Sequence, residues 1–475
     1  MINSEQLFLL QEAYSKENLD KGLFHLARKF FAGHPFETWE GYSGQNIISV
    51  INSKKTFTKV EMATVSFAVF QNDTILKAFL KTLPKLVYRL IEKLLFREEM
   101  DNDEISEFLQ EEIINSESYY NSELKKEFYF FSVKMYRQYI NYTTAQNLFV
   151  LSLHPVLKKL LVNHFPKPLY YNIIPLDEIA ATDFQFTAES LIQAELPRLL
   201  SYQMQQNIKY NSSGRPADAT LSKLQRVCQT TEFYATEDIE IYRMRTMLLA
   251  GLVYKYSPKT LSANNADIIK NLFNNHYFRL DSPVFVLQQL KGWQHVGGED
   301  FFGGVEKKLQ EVFRLIPTDK WISFDNFYEY FNIHSIDVKP VTISAARNYL
   351  VYQYMYYRGS IRIPERKGIE NSTYDAMVKR AFIAGTAFLY AAYGLIEIAY
   401  NNLNTEVLGA TYYSGYDGLQ YIKLTNLGAY VLDITKKYEN ENAAKTNKIT
   451  FDEDALIILA EGDLEVVNVM LSNYT

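Results

Sequence analysis

Apolar positions recur at helical spacing over most of this chain, and the strand-like runs between them are short. Residues 7–31 and 57–70 read as amphipathic helical segments separated by a Gly33-His34-Pro35 break. Pro84 stands at a helix start, where its missing N–H costs nothing. Leu86, Leu90 and Leu94, then Ile105, Phe108 and Leu109, predict a helical pair around Asp101-Asn102-Asp103. Residues 148–153 alternate as a strand, and His154-Pro155 opens a helix that runs through Leu161. Pro166, Pro168 and Pro175 mark 166–186 as the expected linker, with a first domain boundary near 180.

Beyond that boundary one order of elements occurs twice. The fainter copy has a helix at 191–202, a short strand at 208–210 and a turn at Ser212-Ser213-Gly214-Arg215-Pro216. Asp218-Ala219-Thr220 then caps a helix bearing Leu221, Leu224 and Val227, and a further helix spans 241–254. The clearer copy opens on a helix with Val305, Leu309, Val312, Phe313 and Ile316, stopped by Pro317-Thr318-Asp319. A short strand Trp321-Ile322-Ser323-Phe324 follows, and Asp325-Asn326 caps a helix holding Phe327, Tyr330 and Phe331. A longer helix carries Met377, Ala381, Ala384, Phe388, Ala392 and Leu395 on one stripe and ends at Gly394. Residues 407–413, a Gly415-Tyr416-Asp417-Gly418 turn and 419–424 predict a closing hairpin. Helix, strand, two helices and a hairpin in that order predict a winged helix over 321–433, the hairpin being the wing. The expected fold class is therefore mainly α, a multi-domain helical protein with winged-helix units carrying small β-hairpins. The expected domains are an N-terminal helical domain (1–180), a middle winged-helix-like domain (181–300) and a C-terminal winged-helix domain (301–440). Residues 441–475 read as the strand (451–459) and helix (463–471) that begin a further module, or as a partner-binding tail.

The stretch from Val305 resembles the winged-helix region associated with helicases of the xeroderma pigmentosum group B type. The matching residues are the leucine-bearing helix and then Trp321, Ser323, Phe324 and Asp325 at the strand-to-helix junction. Gly394-Leu395 at the exit of the long helix and Leu424, Thr425, Leu427 and Gly428 at the close complete the match. The resemblance covers the last third of the chain, with a fainter echo at 212–253, and implies an accessory module working beside a motor. The chain has no Gly-x-x-x-x-Gly-Lys-Ser/Thr loop to cradle phosphates, so the motor itself is not expected here.

Composition narrows the functions. At 475 residues the chain is too long for one ordinary core, and 47% hydrophobic with 15% aromatic residues excludes a disordered chain. A formal net charge of −6 argues against nonspecific coating of nucleic acid, which needs clustered cations to displace counterions. Cys228 is the only cysteine, so neither a disulfide framework nor a thiolate zinc site is expected, and a reducing cytoplasm fits. No histidine shows the helical pairing with glutamate that marks a zinc site, and His154 and His164 read as capping or surface residues. Gly297-Gly298-Glu299-Asp300 reads as a hinge, because its carboxylates oppose phosphate binding. Residues 382–400 are nearly apolar, but Glu397 and several small residues favour a buried helix over a membrane span. No catalytic residue, metal or cofactor is expected.

One segment carries nucleic-acid chemistry. Arg358, Arg362, Arg366 and Lys367 lie between the second and third helices of the clearer unit, with Lys379 and Arg380 beyond and Tyr354, Tyr356 and Tyr357 before. Guanidinium groups pair with phosphates bidentately and tyrosines stack on bases. Lys423 on the expected wing is a further candidate contact. The same stretch also reads as a solvent loop whose arginines pair with Glu365 and Glu370. Two functions stay open: a non-catalytic DNA-binding accessory protein using this region, or a scaffold whose winged helices bind partner proteins.

Overall fold

The computed structural model describes the chain apart from residues 1–8, 10, 35–46, 98, 101–103, 106–107, 109–127, 140–144, 205–207, 210–215, 235–242, 254–264, 277–285, 288–303, 350, 359–360, 369–373, 404–413, 439–447, 453–456 and 462–475. It is mostly helical with small antiparallel sheets. The chain divides into two compact units, Met1–Tyr171 with Asn332–Ser335, and Asn172–Phe331 with Ile336–Thr475. The residues expected as separate middle and C-terminal domains thus fall in one unit, and they share one hydrophobic core that runs from Phe186 to Leu432.

The first unit packs helices α1 (Lys16–Lys21), α2 (Leu23–Gly33), α3 (Ile47–Ser53), α4 (Lys59–Ala68), α5 (Asp73–Thr82) and α6 (Lys85–Leu95). Local chemistry sets their starts. Thr58 and Glu61 form a reciprocal capping box on α4, and Asn72 Oδ1 accepts from the Thr74 N–H at 2.7 Å to start α5. Pro84 precedes α6, whose Val87, Leu90, Ile91, Leu94 and Leu95 form the buried stripe that the leucine spacing predicts. A hairpin of β1 (Ser132–Tyr139) and β2 (Ala145–Ser152) follows, then α7 (Pro155–Leu161), with Pro155 in its first turn. His154 caps α7 as expected, its Nδ1 accepting from the Val156 N–H at 3.3 Å. The strand expected at 148–153 is the second half of β2; its partner β1 was not expected.

The second unit is built on an antiparallel sheet ordered β3 (Phe184–Phe186), β7 (Ile396–Tyr400), β8 (Leu419–Leu424) and β4 (Trp321–Ser323). Register stacks Ile322, Ile422 and Ile398 in one fully buried row, which anchors the sheet to the core. Trp321 and Leu424 lie on neighbouring strands. The helices are α8 (Glu189–Met204), α9 (Asp218–Cys228), α10 (Met244–Leu252), α11 (Asn265–Asn271), α12 (Val305–Phe313), α13 (Phe324–Ile333), α14 (Ile343–Tyr349), α15 (Arg380–Ala392) and α16 (Asn426–Val431).

Several expectations change. The hairpin partner of β8 is β7, with β4 on the other side, so 419–424 has neither edge left for 407–413, which lie outside the described residues. The Asn401 N–H donates to the Gly418 carbonyl (2.9 Å) and closes the long connection between β7 and β8. Of the proline-marked linker, residues 172–176 are tied to β4 and α13 of their own unit. Leu176 N–H donates to the Trp321 carbonyl at 2.7 Å. Buried Asn326 accepts from Ile174 N–H at 2.7 Å and donates to the Asn172 carbonyl at 2.9 Å. Pro175, which has no N–H of its own, stands between the two N–H groups that pair, those of Ile174 and Leu176. The C-terminal segment is a hairpin of β9 (Lys448–Asp452) and β10 (Ile457–Glu461) in place of a single strand, and the helix expected at 463–471 lies outside the described residues. Residues 208–209 form no strand, and the glycines at 297–303 also lie outside.

Helix α15 is the centre of the unit. Ala381 to Ala392 are buried all round, so the helix has no polar face to offer. Its small residues permit close approach: a Cβ on Gly385 would stand 2.4 Å from Val286 Cγ1. Phe388 meets Phe233, Tyr400 and Tyr416 at 5.0, 5.3 and 5.4 Å between ring centres. This accounts for the apolar stretch at 382–400, and no helix among the described residues is long and apolar enough to cross a membrane.

Candidate nucleic-acid interface

Arg358, Arg362, Arg366 and Lys367 stand on a two-stranded ribbon, not in a loop. Its strands are β5 (Val351–Arg358) and β6 (Ile361–Gly368), in continuous antiparallel register from Val351↔Gly368 to Arg358↔Ile361. Neither strand pairs with another sheet among the described residues. The signal was present in the sequence: 351–357 are rich in the β-favouring residues Tyr and Val, and the register leaves only Gly359 and Ser360, outside the described residues, between the strands. Strand parity sorts the candidates. Arg362 and Arg366 share a face with Gln353 and Tyr357, about 13 Å apart along the strand. Arg358 and Lys367 share the opposite face with Tyr352, Tyr354, Tyr356 and Glu365. Residues 351–368 carry four cations against one carboxylate, reversing the sign of the whole chain. Glu370, the other proposed acidic partner, lies outside the described residues.

The remaining three candidates have structural partners. Lys379 is buried beside the ring of Tyr328. Arg380 pairs with Asp325 at 2.6 Å and lies over the rings of Phe324 and Tyr328. Lys423 sits in a cross-strand row between Glu397, which it meets at 2.8 Å, and the Trp321 ring. These cations fasten α15 and the sheet. Tyr328, Asp325 and Glu397 lie on other elements, so local charge spacing could not reveal the pairing.

Gly394-Leu395 and the Leu424 to Gly428 close make one joint. Thr425 caps α16, its Oγ1 accepting from the Gly428 N–H at 2.9 Å while the same hydroxyl lies 2.7 Å from the Gly394 carbonyl. Thr425 N–H donates to the Leu395 carbonyl at 3.1 Å. Gly394 turns the chain at φ +72°, a left-handed conformation that suits glycine. Gly428 lets α16 press against the Leu395 carbonyl. The exit of the long helix and the closing motif are therefore two sides of a single packing contact.

A buried polar cluster in the same unit centres on Arg245, fully enclosed and bidentate to Glu195 at 2.9 and 2.5 Å. Its guanidinium also donates to the Thr231 and Ala392 carbonyls, and it lies over the Phe186 ring. Glu232 covers the start of α10, accepting from the N–H groups of Arg245 (2.9 Å) and Thr246 (3.3 Å). Thr246 donates its hydroxyl to Glu232 as well and meets Thr230. Burial pushes the Glu232 carboxyl up to about 7, against the pull of its donors and of Arg245. This cluster ties α8, α10, α15 and the 230–232 segment together. Cys228 is buried, and that burial raises its thiol to about 12, so it behaves as a small hydrophobe.

The Glu232 shift has a measurable consequence. The folded chain holds a proton there that the unfolded chain releases near 4.5, so this group makes stability fall as pH rises from about 4.5 to 7. The expected contribution is about 2 kcal/mol, less than the full shift implies because Glu232 is only partly buried. Unfolding by urea at about pH 5 and pH 8 should show a stability difference that is smaller by this amount in Glu232→Gln. Identical pH profiles for parent and variant would refute the assignment.

Compared with known protein families, curated proteins and solved structures, the chain matches none.

Proposed function

We propose that this chain is a non-catalytic nucleic-acid-binding accessory protein whose contact is the basic ribbon β5–β6. The observation that carries this is the ribbon's composition and register. It sets four cations beside Tyr352, Gln353, Tyr354, Tyr356 and Tyr357, whose rings can stack on bases and whose amide and hydroxyls can pair with them. A two-stranded ribbon is one of the shapes that a DNA major groove admits, and its cations would neutralise phosphates. The order α12–β4–α13–α14–α15–β7–β8, with strands arranged β7–β8–β4, supports reading 305–435 as a winged helix of the helicase-accessory kind. In DNA readers built on helix–turn–helix elements a recognition helix enters the groove. Here α15 is enclosed by the core, so the ribbon inserted before it takes that task.

A second reading has its own support. The buried α15 and the acidic overall charge both suit a scaffold that binds proteins, for which the ribbon or the β9–β10 hairpin would serve as the docking edge. Fluorescence anisotropy with labelled duplex and single-stranded DNA at low salt separates the two. Binding that weakens in both Arg362→Ala/Arg366→Ala and Arg358→Ala/Lys367→Ala would mean that both faces of the ribbon touch nucleic acid. Weakening in one pair alone would identify the contacting face. Absence of binding to either DNA form would leave the scaffold as the better account.

A further inference from the structure

Pro364 decides which way the backbone of the ribbon faces. It has no N–H, so a ladder unbroken through Met355↔Pro364 requires its nitrogen to face away from β5. Antiparallel pairs alternate between bonded and non-bonded, so Val351, Gln353, Met355 and Tyr357 turn their N–H and C=O groups to the outer edge of β5. By the same alternation the outer edge of β6 belongs to Arg362, Pro364, Arg366 and Gly368. That edge is interrupted by the proline and bordered by charge, two of the ways in which proteins prevent strand addition. The β5 edge is complete, and residues 351–357 hold four Tyr and one Val without a charge or a proline. Among the described residues no backbone hydrogen bond from outside the ribbon reaches it.

We propose that the outer edge of β5 pairs antiparallel with the same edge of a second copy of this chain, about a two-fold axis at Tyr354. One register uses every outward group: Val351 meets Tyr357, Gln353 meets Met355, and each pair exchanges two hydrogen bonds. In that register Tyr354 faces its own counterpart and Tyr352 faces Tyr356. The tyrosines that parity gathers on one face thus continue across the interface. The strand suits its own copy better than a charged segment, because seven residues offer an incoming strand no counter-charge. The two Arg358, the first charges along the strand, end about 27 Å apart, beyond the screening length at physiological salt. Such an interface is isologous, the usual form of a protein dimer. One strand pair is a small contact, so exchange between monomer and dimer in about the micromolar range is expected. Self-association needs only the backbone and register of β5. Where the nucleic-acid reading also holds, the two compete: four strands span about 14 Å between their outer axes, and a major groove is about 12 Å wide.

Sedimentation velocity of the full chain without nucleic acid, from about 1 μM to about 100 μM, should show a monomer giving way to a dimer. Met355→Pro removes an outward N–H and keeps the ladder, as Pro364 does, and should weaken the dimer at least about tenfold. Cysteines test the register without relying on that variant. Non-bonded antiparallel partners stand about 4.5 Å apart between Cα atoms, within disulfide reach, whereas the two copies of position 356 are about 14 Å apart. Mild oxidation should therefore cross-link Tyr354→Cys and leave Tyr356→Cys as single chains. Cys228 is buried and adds no background. A chain that stays monomeric throughout, as when β9 or β10 of the same chain takes the edge, overturns the proposal. So does equal cross-linking of the two cysteine variants, or a dimer indifferent to Met355→Pro. No nucleic acid is present in these measurements, so their failure and a failure of DNA binding are told apart.

Discussion

Arg245→Met is expected to destabilise the second unit by about 3–5 kcal/mol, because it strands the Glu195 carboxylate in the core. The guanidinium is fully enclosed, and the Thr231 and Ala392 carbonyls would lose their donor in the same change. A destabilisation of that size is comparable with the whole stability of many domains, so much of the variant should be unfolded at 37 °C. Removing both charges tests whether the cause is the stranded carboxylate. Arg245→Met/Glu195→Leu should regain most of the stability, since apolar pairs of similar volume often replace buried ion pairs without penalty. Urea midpoints of the two single variants and the double supply the cycle. A double variant as unstable as Arg245→Met would show that the hydrogen bonds to the carbonyls dominate.

Gly428→Ala is expected to cost about 3 kcal/mol, at the upper end for overpacking in a core. The added Cβ would stand 1.9 Å from the Leu395 carbonyl oxygen, a backbone atom that cannot rotate away. Relief requires separating α16 from the end of α15, which also breaks the Thr425 cap. Gly33→Ala is the internal control. It lies at the end of α2 with open space where the Cβ would go, and alanine favours helix, so the change should be neutral or stabilising by a few tenths of a kcal/mol. Melts that show equal destabilisation in both variants would contradict the packing account.

What was legible in the sequence follows from how local each cause is. Helices α4, α6 and α7 announce themselves because Thr58, Pro84 and Pro155 act within one turn of the residues they organise. The adjacency of Trp321 and Leu424 followed from element order. The wing was paired wrongly because Gly415 to Gly418 do turn, with Ser414 Oγ donating to Asp417 at 2.6 Å, but the strand that meets β8 lies upstream of the turn at β7. Lys379, Arg380 and Lys423 looked available because Tyr328, Asp325 and Glu397 reach them only through tertiary packing or strand register. The Arg245–Glu195 pair, 50 positions apart, leaves no local pattern at all. The ribbon was different: its tyrosine-rich strand and Gly359-Ser360 connector were readable, but the density of basic residues masked the alternation.

The salt dependence of DNA binding tests the ribbon assignment most directly. Affinity of the parent chain for duplex DNA, measured by anisotropy across a salt series, should fall linearly on logarithmic axes as counterions are released. In Arg362→Ala/Arg366→Ala the slope should flatten by about two, roughly one for each phosphate no longer neutralised, with the thermal melt unchanged. A slope identical to the parent's, or a parent that binds no duplex at low salt, would contradict the ribbon as the nucleic-acid contact.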